Sequence, residues 1–118
     1  MDDSPEALRN RTKQFALRII NLADNLPDTA AARVIGRQVL RSGTSIGANY
    51  RSAQRGRSRA EFRSKLGIVL EEADETVYWL ELLVESGIVP GKRMTQILAE
   101  AIELVKIFAA SHRTLRGE

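Results

Sequence analysis

Five arginines, Arg33, Arg37, Arg41, Arg51 and Arg55, recur at intervals that a helix would bring onto one side. At roughly 100° per residue they fall within about 80° of arc. Arg57, Arg59, Arg63 and Lys65 carry the charge through a turn at Gly56 and into the segment beyond it. Guanidinium groups set out in this way suit paired hydrogen bonds to successive phosphates of a polyanion. Arg59 and Arg63 also open a predicted helix, where cations oppose the macrodipole by about 0.3–1 kcal/mol. Stability alone favours acids there; a bound polyanion would account for cations, with free N–H groups assisting. No aromatic platform for stacking bases is interleaved with these arginines. Contacts are therefore expected to fall on backbone, with weak selectivity and strong salt dependence. The expected function is a non-enzymatic scaffold for RNA or DNA built on Arg33, Arg37, Arg41, Arg51, Arg55, Arg57, Arg59 and Arg63.

Other chemistry finds less support. Glu72 and Glu75 have the spacing of carboxylate ligands, but they belong to a broad acidic surface with Glu71, Asp74, Glu81 and Glu85. Such a surface is more simply solvated or salt-bridged. Di-iron bundles use Glu-x-x-His pairs, and the one histidine, His112, belongs to no such pair. The serines at 42, 45, 52 and 58 have no histidine within sequence reach to activate them. Gly43, Gly47 and Gly56 do not form a phosphate-cradling loop, lacking both Gly-Lys-Ser/Thr and a leading strand. No enzyme, metal or cofactor is expected. The competing reading is an assembly module, whose basic row pairs with the acidic surface within or between subunits.

Charge asymmetry is what keeps both readings in play. Residues 31 to 65 hold nine Lys or Arg and a single acid, whereas residues 66 to 91 hold six acids and no base. The net charge of +3 conceals that split.

The elements that must position these groups are helical. Helices are expected over about 5–26, 30–55, 59–86 and 91–115, in one domain spanning 1–118. Ser4-Pro5 starts the first, in which Leu8, Phe15, Ile19, Leu22 and Leu26 make one apolar stripe. In the second, Ala32, Ile35, Val39, Gly43, Ile46, Tyr50 and Ala53 lie opposite the arginines. Gly36, Gly43 and Gly47 align on one margin of that face, which suggests a neighbouring helix whose backbone comes close. Ser58 and Glu61 have capping-box spacing at the start of the third. Phe62, Leu66, Val69, Leu70, Ala73, Val77, Leu80 and Val84 point inward from it, and Gly87-Ile88 stops it. Ile68, Trp79 and Leu82 form a second apolar strip there, expected to be buried against another subunit. Met94, Leu98, Ala101, Val105 and Phe108 line the fourth, with Ile97 and Leu104 beside them. Short connections imply an all-α, antiparallel up-down-up-down four-helix bundle. The lack of cysteine, signal-like N-terminus or long apolar run points to a cytoplasmic protein with no membrane contact.

Residues 41–51 (RSGTSIGANYR), followed by Arg57-Ser58, Glu61-Phe62, Glu71 to Thr76 and Tyr78-Trp79-Leu80, carry a family resemblance. Over about residues 15 to 115 the chain resembles the four-helix bundle proteins also called intervening-sequence 23S rRNA proteins. The resemblance implies an antiparallel four-helix protomer and a ring-shaped homopentamer. It extends distantly to the accessory variability proteins of diversity-generating retroelements, which implies a reverse transcriptase and nucleic acid as partners. Ser52 stands where the family commonly has an acid, three residues after the motif's Asn49. Any inter-subunit or partner contact made by that acid would be absent here.

Overall fold

Hydroxyl side chains start three of the four helices in the structure, a computed structural model describing residues 3–115 and 117. The helices are α1 Pro5–Asp24, α2 Ala30–Gln54, α3 Arg59–Glu85 and α4 Gly91–Leu115. Ser4 accepts from the Ala7 N–H, Thr29 from that of Ala32, and Ser58 from that of Glu61. Each satisfies a donor that the first turn of a helix leaves without an internal partner. Only half of the capping box forms at α3, because the Glu61 carboxylate turns to Lys65 at 3.5 Å. No strand occurs among the described residues.

The ends follow local chemistry. α1 stops at Asp24, with Asn25 as its cap and the Asn25 side chain donating to the Asn21 carbonyl at 2.7 Å. Gly87 has φ 77°, the left-handed conformation that ends α3. Its N–H donates to the Val84 carbonyl. The longer closing bond comes from Val89, not Ile88, reaching the Leu83 carbonyl at 3.0 Å. That shift tucks Val89 into the core.

α2 packs against α1 on one side and α3 on the other, and α3 packs against α4; the backbones of α1 and α4 stand farther apart and are bridged by side chains, Arg11 to Glu100 among them. The result measures 45 × 24 × 23 Å. Phe15, Ile19, Val39, Ile46, Leu66, Val69, Leu80, Leu104 and Phe108 fill its centre. The expected stripes are present but differently centred. Leu83 is wholly buried whereas Val84 is half-buried, and Ile97 and Leu104 lie deeper than Leu98 and Val105. Phe62, Leu70 and Val77 likewise sit at the margin of the core.

The three glycines of α2 form the seam with α1. A Cβ at Gly36 would stand 2.9 Å from a Leu26 methyl, one at Gly43 2.8 Å from Ile19, and one at Gly47 3.1 Å from the Thr12 hydroxyl. The margin of glycines makes room for side chains of α1 and the loop after it, with the backbone itself in contact at Thr12, 3.5 Å from a Cβ at Gly47.

On its other side α2 meets α3 through a buried polar contact. The Ser42 and Thr76 hydroxyls hydrogen-bond at 3.0 Å with neither exposed, and Thr76 also reaches the Glu72 carbonyl at 2.7 Å. Thr76→Val leaves Ser42 with only a distant carbonyl, at 3.5 Å, and is expected to cost about 1–3 kcal/mol. Ser42→Ala with Thr76→Val removes both polar groups, so the pair should cost less than the sum of the single changes. Urea denaturation of the four proteins in the cycle measures that coupling.

Candidate nucleic-acid interface

The eight arginines do not form one uninterrupted row. Arg33, on the first turn of α2, pairs with Asp28 in the preceding loop. Arg41 reaches across to α3, where it pairs with Glu72 at 3.1 Å and also donates to Glu75. The Glu72 charge, with that of Glu75, raises Arg41 above the ordinary guanidinium value. At the middle of α2 the basic and acidic surfaces are therefore joined, so Arg41 is engaged by carboxylates of the same chain. Ten residues farther on, about 15 Å along the axis, the situation changes. Arg51, Arg55, Arg57 and Arg59 are exposed and, like Arg37, have no ion pair among the described residues. Arg63 is half-buried, with Nε shielded and without a hydrogen-bond partner among the described residues. Lys65 turns back to donate to Ser52 at 3.1 Å. Ser52 thus meets a cation on its own chain.

Local folding explains the cluster. Arg55 caps α2, Gly56 makes the tight turn and Ser58 restarts the chain as α3, so one connection presents Arg55, Arg57 and Arg59 together. The seam with α1 adds two cations that sequence reasoning missed. Arg9 Nη1 donates to Gln54 Oε1 at 3.1 Å, and Arg9, Lys13 and Arg51 line one groove. Burial raises the Tyr50 phenol above its usual value, and the nearby Arg9 charge opposes that rise. The signal available was the i, i+4 spacing of Arg9 and Lys13. Which neighbour they would face is a property of the packed fold. Arg11, by contrast, grips Glu100 with two bonds of 2.7 and 2.8 Å.

The other sequence-level candidates are spread more widely. Ile68 is 43% exposed, while Leu82 and Trp79 are half-buried. Trp79 packs partly against the protein's own core and its Nε1 donates to Glu75 Oε2 at 3.1 Å, which ties the ring to the Arg41 cluster. Tyr78, outside the expected apolar strip, is the more open of the two rings and lies edge-on to Trp79 at 5.0 Å. Glu71, Asp74, Glu81 and Glu85 are exposed with no ion pair among the described residues. The serines are engaged locally: Ser42 with Thr76, Ser45 with the Arg41 carbonyl, Ser52 with Lys65, Ser58 as a cap. His112 lies over Gly67 of α3. Among the described residues no group of three or more His, Cys, Asp or Glu is placed to hold a metal ion, and no helix is long and apolar enough to cross a membrane.

The model of the 23S rRNA-intervening sequence protein family matches residues 7–110. A crystal structure of a protein of unknown function from the S23 ribosomal protein family of Bacteroides thetaiotaomicron superposes with a TM-score of 0.85 at 38% identity. The match covers 92% of this chain and 97% of that one. No curated protein matches.

Proposed function

From the premise that the chain belongs to the 23S rRNA-intervening sequence protein family, we propose that it is a non-enzymatic, oligomeric scaffold. It binds the backbone of RNA or DNA in the cytoplasm through the basic end formed by Arg51, Arg55, Arg57 and Arg59. The observation that carries this is the set of exposed guanidinium groups left without carboxylates while acids stand unpaired on α3. Crowding unpaired like charges at one end costs repulsion, which a bound polyanion would relieve. In this reading the helices of each protomer run antiparallel, which the contacts of α1 with α2 support. Leu26, Ile19 and Thr12 meet Gly36, Gly43 and Gly47 in turn, so one chain segment descends as the other rises. Five such protomers in a ring is the assembly that the resemblance implies.

Fluorescence anisotropy of a labelled oligonucleotide tests the binding. If four arginines each neutralise one phosphate of a single strand, log K should fall with log salt at a slope near −3. A slope near zero, or no binding at low salt, overturns the proposal.

A second reading is favoured by the Arg41 cluster with Glu72 and Glu75. There the charges serve assembly or a protein client, and Ile68, Trp79 and Leu82 with Tyr78 form the contact. That surface would hold a partner even where no nucleic acid binds.

A further inference from the structure

We propose that the groove between α1 and α2 is the seat of a single phosphodiester strand, held from both walls by cations of different helices. This rests on the nucleic-acid reading above and adds to it a place, a strandedness and two residues of α1. Arg9 and Lys13 stand on one wall and Arg51 on the other, around a groove of about 570 Å³. Its lining includes Thr12 and Gly47, which meet across the seam of the two helices. The Thr12 hydroxyl donates to the Leu8 carbonyl at 2.8 Å, so it has no unmet polar demand of its own. No aromatic residue lines the groove, which therefore offers nothing for a base to stack on. The ligand part that fits is anionic, narrow and extended: sugar and phosphate, with the bases turned outward.

Width decides between one strand and two. Packed helices lie about 8–10 Å apart axis to axis, whereas the major groove of a B-form duplex is alone about 12 Å wide. A duplex would rest on the rim and touch the turn arginines without entering. Glu6 is the one acid among the groove's lining residues and shares that space with Arg9 and Lys13. A phosphate in the groove would be repelled by it.

The experiment measures the affinity of the full chain for a labelled single-stranded oligonucleotide and for a hairpin duplex, in about 0.1 M salt. With a slope of about 0.7 per phosphate, each contact is worth roughly fivefold relative to 1 M salt. Arg9→Ala with Lys13→Ala should weaken single-strand binding by about 25-fold and flatten its salt slope by about 1.4, with the hairpin much less affected. Glu6→Gln should tighten single-strand binding by about two- to threefold, a gain that misfolding cannot imitate. If the double variant and Glu6→Gln both bind the single strand like the parent, while Arg57→Ala with Arg59→Ala weakens it, the groove proposal falls and the wider reading stands. If the turn variant binds as well as the parent too, both fall. Equal losses for strand and hairpin would refute single-strand seating.

Discussion

Gly43→Leu is expected to destabilise the protein by about 3 kcal/mol or more, the upper range for forcing atoms into a packed seam. The reason lies in what Gly43 faces. A Cβ there would come within 2.8 and 2.9 Å of both γ carbons of Ile19 and 3.2 Å of its Cβ. Ile19 is completely buried, and its branch at Cβ leaves it few rotamers. The helices must part for any side chain to enter. Gly36→Ala provides the matched comparison. Its new methyl would meet only Leu26 Cδ1, at 2.9 Å, the movable tip of a half-buried side chain. There the gain in helix propensity, about 1 kcal/mol, should offset the adjustment. Gly43→Ala carries the same propensity gain but should still be net destabilising, because Ile19 cannot turn away. Urea denaturation of the two alanine variants decides the matter, even where the leucine variant does not fold. Finding Gly43→Ala as stable as Gly36→Ala would mean that α1 does not lie on α2 as described.

That seam was legible in the sequence because helical period alone places Gly36, Gly43 and Gly47 on one margin. Which helix comes close was not, since period carries no information about neighbours. The same limit explains the other differences. An apolar repeat states the width of a buried face better than its centre, so Leu83, Ile97 and Leu104 proved deeper than the residues beside them. Thr12 reads as polar, yet it is buried because its hydroxyl returns to its own helix and its small side chain suits the contact with Gly47. At the candidate interface, the arginine row and the acidic face were each visible. That Arg41 and not Arg51 would reach Glu72 and Glu75 depends on where α2 lies against α3. Arg9 and Lys13 were passed over because only the fold of α1 onto the end of α2 brings them beside Arg51.

Replacing Arg51, Arg55 and Arg59 together by glutamate should lower affinity for a single strand by at least about 100-fold at 0.1 M salt, since three contacts of about fivefold each are lost. Repulsion between the new carboxylates and phosphate adds to that loss. The fold should tolerate the change. All three side chains are exposed and none has an ion pair among the described residues. Glutamate in the first turn of α3 favours the macrodipole, whereas glutamates at the end of α2 oppose it, each by about 0.3–1 kcal/mol. One gain against two losses leaves a net cost of about 0.3–1 kcal/mol, so the melting temperature should fall only slightly while binding collapses. Arg41→Gln should show the reverse. Its charge is already met by Glu72 and Glu75, so binding should change less than about threefold. Removing it leaves two carboxylates of α3 facing each other with less to hold them, and stability should fall instead. Two variants separated in this way would assign the end of α2 to a ligand and its middle to the fold. A triple-glutamate protein that binds within threefold of the parent would instead mean that the unpaired arginines are not the contact.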